Sequence, residues 1–487
     1  MSIGRNTATN LAGTIIASLV GILTVPLYLH AIGADRFGVL AIAWLFLSTF
    51  NFLDFGVTRA TQYSVAANVD RDPARTANIV FTALTLCVPM SLIGFGMIFG
   101  AISYFFSGKF NGSASLQAEI ASSAYVIAAC WPLVLFSAVI NGALLGRRLF
   151  VLVNVSTTAS SVLFQVVPLI AAYAAGPQLR NLLIAAFIGR ALPMLGLLPA
   201  LKRNILQRFV VRFSRREAGM LLGYGRWASL TTIVATALTM ADRLIIAAVL
   251  GPVAVTIYTA PLQLAQRVSL LPAALSSALF PHLPTAGPDE KHSMQVRALQ
   301  LILSSLTLAI GGGLLITAPF LDLWLGKSIG GAATPSALLL FFGAWWTALA
   351  VIPFSGLQAT GDPKGSAMIQ LAELVPFVAG LYLAAHYGGV AACAGVYLVR
   401  AAADFALLGW RGELLSDTAK GVGICAVTLT IAALIGALYR ISFPAWTAAT
   451  IVWSFAIAFC AWRILPRTDQ RLLASLVARL VRRRNVP

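Results

Sequence analysis

Long apolar segments, separated by short polar connectors, repeat along the whole chain. Most of them reach about 20 residues, the length at which an α-helix crosses the hydrocarbon core of a bilayer. The pattern therefore predicts an all-α polytopic membrane protein with about fourteen transmembrane helices. The predicted spans are 10–32, 37–57, 78–106, 119–145, 150–175, 179–201, 227–250, 253–280, 296–320, 333–358, 365–387, 389–409, 421–439 and 446–463.

The composition agrees with this interpretation and leaves no room for a large soluble domain. Of the 487 residues, 59% are hydrophobic and 10% are charged, whereas roughly a quarter of the residues in soluble domains are charged. The net charge of +18 would suggest a nucleic-acid partner in a soluble protein, but here the basic residues lie in connectors between apolar segments. We therefore expect no nucleic-acid partner.

The connectors that are rich in Lys and Arg alternate with connectors that are poor in them. Basic connectors remain in the cytoplasm, so this alternation predicts that the N- and C-termini are cytoplasmic. Two segments, 202–226 and 464–487, mix basic with bulky apolar residues as interfacial segments do. They predict contact with anionic membrane lipid.

A weak internal repeat relates residues 27–43 to residues 245–261 at an offset of 218. Each segment contains an apolar stretch, a glycine turn at Gly33 or Gly251, and a second apolar stretch. Six spans per repeat would give both halves the same orientation in the membrane. The predicted organisation is an N-terminal six-helix bundle (1–201), a basic cytoplasmic connector (202–226), a C-terminal six-helix bundle (227–409), two additional transmembrane helices (421–463) and a basic amphipathic tail (464–487).

Five arginines lie inside or at the edge of predicted spans, where an unpaired charge is costly. They are Arg190, Arg226, Arg243, Arg267 and Arg400. One interpretation is that they face a wet cavity and bind an anion, because the planar guanidinium suits phosphate and carboxylate groups. The alternative is that each is neutralised by a nearby carboxylate or carbonyl and only fixes helix packing.

We rank the charged residues by their depth in the predicted spans. Arg243, Arg267 and Arg190 are candidates for binding an anionic headgroup, while Asp54 and Arg59 lie near the cytoplasmic end of span 2. Asp242 and Glu373 are candidates for carrying a coupling proton, because burial favours the neutral form of a carboxyl group. Arg400 and Asp404 are spaced i, i+4 and are predicted to neutralise each other as a structural pair.

An enzymatic function has little support in the sequence. The histidines (His30, His282, His292, His386) form no HExxH motif, and there is no acidic metal cluster and no Gly-rich phosphate loop. The five cysteines lie in apolar segments without the spacing of a metal or redox site. We expect no catalytic residues, no metal and no cofactor.

Several segments resemble polysaccharide transporters of the O-antigen flippase type, which share a superfamily with multidrug extruders and lipid II flippases. They are Pro-Leu-Tyr-Leu at 26–29, Ile-Gly-Ala-Asp-Arg-Phe-Gly-Val-Leu at 32–40, Leu-Asp-Phe-Gly-Val-Thr-Arg-Ala at 53–60, Ala-Asp-Arg-Leu-Ile-Ile-Ala-Ala-Val-Leu-Gly at 241–251 and Leu-Gln-Ala-Thr-Gly at 357–361. The lipid II flippases keep basic residues on spans 1 and 8; Arg267 matches span 8, but the core of span 1 has no basic residue.

The resemblance implies two six-helix bundles around a central cavity, with alternating access. It also implies export of an undecaprenyl-diphosphate-linked oligosaccharide across the bacterial inner (plasma) membrane, with a polysaccharide polymerase and chain-length machinery as partners. Two alternatives remain open. One is a multidrug or organic-cation antiporter, which would more naturally have an acidic cavity. The other is a membrane-embedded glycan polymerase or ligase.

Overall fold

A computed structural model describes residues 3–49, 54, 56–68, 71–108, 113–206, 212–279, 283, 287–359, 363–466 and 469–470. Within these ranges the chain forms helices joined by short connectors, and no strand occurs. A helix satisfies its own backbone hydrogen bonds, which is what a segment inside lipid requires. The prediction of an all-α protein is confirmed.

The chain divides into two compact units, Met1–Thr256 and Ile257–Pro487, with the division inside the eighth helix. The first unit contains α1 (Ile3–Thr49), α2 (Val57–Asn68), α3 (Pro73–Gly108), α4 (Ala114–Gly146), α5 (Phe150–Ala175), α6 (Leu179–Leu201), α7 (Arg215–Leu250) and the start of α8 (Pro252–Gln266). The second unit contains the rest of α8, α9 (Leu270–Leu279), α10 (Pro288–Leu325), α11 (Lys327–Ala359), α12 (Pro363–Tyr387), α13 (Gly389–Arg411), α14 (Leu415–Leu438) and α15 (Phe443–Ile464). A π-helical turn (Lys202–Leu206) follows α6, and a 3-10 turn (Arg267–Ser269) separates α8 from α9.

Eleven helices of the described chain are long and apolar enough to cross a membrane, against about fourteen predicted spans. The first two predicted spans lie within α1, which consists of two helices separated by the non-helical backbone of Gly33, and the eleven count them once. The predicted seventh and eighth spans correspond to α7 and to the broken pair α8 and α9, and neither is among the eleven. The helical character of the predicted spans is therefore confirmed where the structure describes them, whereas their number remains a prediction.

The internal repeat is visible in the backbone. Gly33 has φ 76° and ψ 168°, and Gly251 has φ 84° and ψ −178°, a conformation that favours glycine. The two turns also touch each other. The hydroxyl of Thr256 donates to the carbonyl of Ala34 at 2.7 Å, and Gly38 lies directly against the backbone of Pro252.

These two contacts are equivalent under the offset of 218, because 34 corresponds to 252 and 38 corresponds to 256. Two equivalent contacts that exchange their members define an approximate two-fold axis, as in an isologous dimer interface. The glycine at 38 permits the close approach on one side, and the threonine at 256 adds a hydrogen bond on the other. The turns predicted from the sequence repeat are thus both present and packed together in the first unit.

In the first unit, small residues let the helices pack closely. Gly142 and Gly146 of α4 lie against the backbone of α2, and Gly189 of α6 lies against the backbone of Leu163 in α5. α1 packs on α5, where the hydroxyl of Tyr28 donates to the carbonyl of Gln165 at 2.6 Å. Close backbone contact is the usual basis of helix association in lipid, where apolar side chains gain little from leaving the solvent.

The second unit is built around α10 and α11. Leu299, Ile302 and Leu306 of α10 are buried against Trp345 and Leu349 of α11. α14 and α15 pack on α10 and on each other, which makes the two additional predicted helices an integral part of this unit. The structure adds one feature that the cysteine spacing did not predict, since the Sγ atoms of Cys425 and Cys460 lie 3.8 Å apart between α14 and α15.

The predicted connector between the halves, 202–226, contains the start of a helix in the structure. α7 begins at Arg215, inside the predicted connector, and packs with α1, α2 and α3 of the first unit. An ion pair between Arg75 of α3 and Glu217 of α7, at 2.9 Å, holds the start of α7 in place. Residues 207–211 of the connector and 471–487 of the predicted amphipathic tail lie outside the described residues, so the tail remains a prediction.

Candidate functional site

Arg190 lies in the middle of α6, eleven residues from each end of the helix. At 1.5 Å per residue, its Cα is about 16 Å from either end, near the level of a bilayer midplane. No carboxylate in the described part of the chain forms an ion pair with its guanidinium. Instead the guanidinium lies over the ring of Phe164 on α5, 5.1 Å from the ring centroid.

Phe164 is in turn supported by α1. Its ring lies 5.8 Å from that of Trp44, which packs edge-on against Tyr28 and Phe37. Tyr28 and Phe37 are fully buried. This aromatic cluster holds the ring of Phe164 in place against the guanidinium of Arg190. The N–H groups of Arg190 therefore point away from the cluster.

The guanidinium opens into a cavity of about 280 Å³ between α4, α5 and α6, which we call the α6 pocket. Its lining residues are Val134, Ser137, Ala138 and Asn141 from α4, Ser156, Thr157, Ser160 and Ser161 from α5, and Arg190, Met194 and Leu197 from α6. None of the described residues that line this cavity is acidic. The α6 pocket is therefore both polar and positively charged.

Two polar atoms of α4 in the α6 pocket have no hydrogen-bond partner. They are the buried Oγ of Ser137 and the buried Oδ1 of Asn141. Leaving a buried polar atom unpaired costs about 1–3 kcal/mol, so such atoms commonly serve a bound molecule. Together with the guanidinium of Arg190, these two atoms provide the α6 pocket with hydrogen-bond donors and an acceptor for a bound molecule.

The α5 wall contributes hydroxyl groups. Ser156 donates to the carbonyl of Pro193 at 3.2 Å, and Thr157 and Ser161 donate to carbonyls one turn back in their own helix. A hydroxyl that donates in this way keeps its lone pairs as acceptors. Arg190 was predicted from the sequence, but these hydroxyls were not. The run Ser-Thr-Thr-Ala-Ser-Ser at 156–161, inside an apolar span, is the signal that indicates them.

The two candidates near the predicted cytoplasmic entrance have different surroundings. The Oδ1 of Asp54 accepts the backbone N–H of Gly56 at 2.7 Å and so shapes the turn before α2. Arg59 lies in the first turn of α2 and is exposed to solvent. Asp54 thus belongs to a turn, and Arg59 belongs to the helix start that follows it. Their role at an entrance remains a prediction.

The predicted headgroup ligands Arg243 and Arg267 belong to different units. In α7, the carboxylate of buried Asp242 accepts the backbone N–H of Arg243 at 2.7 Å, and the Nε of Arg243 is buried without a hydrogen-bond partner. Arg267 is exposed and begins the 3-10 turn that interrupts the predicted eighth span. That the two bind one headgroup remains a prediction. The side chain of Arg226 lies outside the described residues.

A carboxylate on a neighbouring helix lies beside Arg400, and the pairing of Arg400 with Asp404 remains a prediction. Its Nε lies 3.4 Å from Oε2 of Glu373 on the neighbouring helix α12, and its guanidinium covers the ring of Phe377 at 5.0 Å. Asp404, the predicted partner, interacts with both groups electrostatically but makes no ion pair within 4.0 Å. Glu373 approaches from a different helix and takes the guanidinium because α12 and α13 pack side by side.

This cluster also bears on the predicted proton carriers. Glu373 is 8% exposed, and neither of its oxygens makes a hydrogen bond of good geometry. It therefore combines burial with a basic neighbour, whereas the carboxylate of Asp242 accepts the backbone N–H of Arg243. In the described residues, no group of three or more His, Cys, Asp or Glu side chains could hold a metal ion.

The sequence and fold were compared with known proteins. Residues 3–286, more than half of the chain, match a family model described as "Polysaccharide biosynthesis protein". A Shigella flexneri protein named "Putative O-antigen transporter" is 27% identical over 415 residues, which cover 84% of this chain and 97% of that protein.

Two solved structures share the fold at low sequence identity. The lipid II flippase MurJ, in an inward closed conformation, has a TM-score of 0.71 at 10% identity, covering 91% of this chain and 97% of MurJ. An inward-facing multidrug resistance transporter of the MATE family, from the MOP superfamily, has a TM-score of 0.65 at 19% identity, covering 86% of this chain and 96% of the transporter. The fold is thus one that polytopic transporters use.

Proposed function

The chain belongs to the family of polysaccharide biosynthesis proteins, and on that premise we propose that it is a flippase for a lipid-linked oligosaccharide. It would move an undecaprenyl-diphosphate-linked oligosaccharide from the cytoplasmic to the periplasmic leaflet of the bacterial inner membrane. The observation that carries this proposal is Arg190, a guanidinium without a carboxylate partner at the middle of an apolar helix, in a pocket of polar side chains. Intramembrane charges of this kind mark substrate pathways.

The proposed architecture has about fourteen spans, in two six-helix bundles around a central cavity, followed by two additional helices. The approximate two-fold relation between the turns at Gly33 and Gly251 supports a repeated unit. The likeness in fold to MurJ and to the MATE transporter supports alternating access. Both termini would be cytoplasmic, and a polysaccharide polymerase with its chain-length machinery would act on the exported product.

The headgroup is expected to bind at Arg243 and Arg267, with Arg59 and Asp54 near the cytoplasmic mouth. A diphosphate carries negative charges that paired guanidinium donors recognise well. For coupling to a proton, Glu373 is the better placed candidate, because it is buried beside one arginine and lacks good hydrogen bonds. We propose no catalytic role for any of these residues.

Transport is tested with proteoliposomes that contain the purified chain and an undecaprenyl-diphosphate oligosaccharide. The accessibility of the headgroup to a membrane-impermeant reagent is followed on each side. We expect crossing that depends on the protein and that slows roughly 10- to 100-fold in Arg267→Ala, since each lost charge-assisted hydrogen bond is worth about 1.5–3 kcal/mol. Arg180→Ala is the matched control, because Arg180 is an exposed arginine at the start of α6.

Absence of crossing, with intact lipid and an imposed proton gradient, would contradict the flippase. It would favour one of the two alternatives, a drug antiporter or a glycan polymerase or ligase. The positive charge of the α6 pocket argues against organic cations as its ligands, since like charges repel in a medium of low dielectric constant. Normal crossing in Arg267→Ala would return that arginine to a structural role and leave the flippase proposal standing.

A further inference from the structure

The α6 pocket is too small for a whole lipid-linked oligosaccharide. Its volume of about 280 Å³ is slightly below the range of roughly 300–1,000 Å³ that ligand pockets occupy. That volume suits a single ring-sized group. The cavity lies within one unit, between α4, α5 and α6.

The chemistry of the lining distinguishes a sugar from a phosphate. Phosphate oxygens only accept hydrogen bonds at neutral pH, so a phosphate site needs donors on all sides. Here the buried Oδ1 of Asn141 is an acceptor without a partner, and the hydroxyls of Thr157 and Ser161 already donate to their own helix. The Oδ1 of Asn141 therefore lacks a donor, and the two hydroxyls have lone pairs free to accept from a ligand. Sugar hydroxyls both donate and accept, and therefore match them.

The charge of the α6 pocket requires the ligand to be an anion. Arg190 has no carboxylate partner among the described residues, and the stacked ring of Phe164 fixes its plane. A planar guanidinium binds a carboxylate with two parallel hydrogen bonds. Val134, Met194 and Leu197 supply an apolar surface against which the C–H face of a sugar ring can pack.

We propose that the α6 pocket binds one carboxylate-bearing sugar unit of the transported glycan, with Arg190 holding the carboxylate while Asn141 and the pocket hydroxyls bind the ring hydroxyls. This inference rests on the proposed function for the identity of the glycan as substrate. It adds that the protein selects glycans that contain an acidic sugar. The selection takes place in the first unit, at a site separate from the predicted headgroup ligands Arg243 and Arg267.

Binding is measured with the purified full-length chain in lipid nanodiscs, by calorimetry or ligand-observed NMR. The probes are glucuronate, glucose and inorganic diphosphate. We expect glucuronate to bind at least tenfold more tightly than glucose and more tightly than diphosphate. Diphosphate binding that equals or exceeds glucuronate binding, and that Arg190→Ala removes, would make the α6 pocket a phosphate site and overturn the proposal.

The most informative variant is Asn141→Asp. It changes one amide to a carboxylate of nearly the same shape and places a negative charge in the pocket that Arg190 also lines. The variant should fold as well as the parent, because the new charge shares the pocket with a guanidinium of opposite sign. It should nevertheless lose glucuronate binding by at least tenfold. Unchanged glucuronate binding in Asn141→Asp would overturn the proposal, and unchanged binding in Arg180→Ala is the expected control result.

A transport assay separates failure of this inference from failure of the proposed function. Lipid-linked oligosaccharides with and without a uronate unit are compared in the same proteoliposomes. Faster crossing of the uronate form, with the preference lost in Asn141→Asp, supports the inference. Equal crossing of both forms overturns it and leaves the flippase intact. If neither form crosses, the proposed function fails, and glucuronate binding in nanodiscs still decides whether the α6 pocket recognises an acidic sugar.

Discussion

Gly38→Ala and Thr256→Val test the contact between the two repeated turns from its two sides. A methyl group added at Gly38 would overlap the carbonyl group of Pro252. That carbonyl belongs to the backbone at the start of α8 and cannot swing aside as a flexible side chain would, so the two helix starts must separate. Thr256→Val keeps the shape of the side chain but removes the hydroxyl that bonds to Ala34 at 2.7 Å.

The expected magnitudes follow from the two kinds of damage. Overpacking at a tight contact costs about 1–3 kcal/mol, so Gly38→Ala should lower the free energy of unfolding by that amount. The loss of one hydrogen bond at Thr256 should lower it by about 0.5–1.5 kcal/mol. Once Gly38→Ala has separated the turns, the Thr256 bond is already weakened. The double variant should therefore lose less than the sum of the single variants, by at least about 0.5 kcal/mol.

The assay is reversible unfolding of the purified chain in mixed micelles, with the two single variants and the double variant. Gly96→Ala in α3 is the matched control. A methyl group there meets open space on an exposed helix face, so the substitution should be neutral or stabilising by about 0.4–1 kcal/mol. Unfolding of Gly38→Ala at the parent's free energy, or effects that add within about 0.3 kcal/mol, would refute the paired contact.

Two further predictions concern ion pairs. Only 8% of the Glu217 side chain is exposed, whereas 42% of the Arg75 side chain is exposed. Arg75→Ala should therefore destabilise the protein by about 1 kcal/mol more than Glu217→Ala in the same unfolding assay. The reason is that only Arg75→Ala leaves a buried charge without its partner. Equal effects would contradict this asymmetry. Arg400→Ala should destabilise the protein by about 3–5 kcal/mol, because it leaves the buried Glu373 without its partner. The monodisperse, membrane-inserted fraction should fall strongly, and adding Glu373→Gln should restore most of it. If Asp404→Asn rescued Arg400→Ala and Glu373→Gln did not, the partner of Arg400 would be Asp404, as predicted from the sequence.

The sequence located the spans well where hydropathy changes sharply. The predicted boundaries of α5 and α6 coincide with those of the structure, because the short connector Gly176–Gln178 ends one apolar run before the next begins. Hydropathy failed at α7, which begins at Arg215 and not at 227. A helix that continues outside the hydrocarbon region needs no apolar residues, so its start is marked by capping and not by hydropathy. The hydroxyl of Ser214 accepts the N–H of Glu217 at 3.3 Å, and the Ser-x-x-Glu spacing was the available signal.

The candidate site was only half visible in the sequence. The depth of Arg190 follows from its place in an apolar run, and its prediction as a cavity residue required nothing more. Its surroundings come from α4 and α5, whose polar lining residues lie 29 to 53 positions away in the chain, from Ser161 to Ser137. The surroundings of Arg400 were hidden for the same reason. The i, i+4 rule compares residues on one helix, and it could not see that α12 brings Glu373 to the guanidinium.

The amino-acid sequence by itself determined the helical class, the membrane setting, the repeat of two glycine turns and the depth of the buried charges. These are local properties, fixed by the length of apolar runs and by the backbone freedom of glycine at 33 and 251. Only the tertiary structure decided which buried charges have partners. In that structure Glu373 lies beside Arg400, whereas Arg190 faces hydroxyl groups. The difference arises because pairing inside a membrane protein depends on which helix faces pack together. Helices that are far apart in the chain pack together where small residues allow close contact and their surfaces fit. Hydropathy does not indicate which helices will pack in this way.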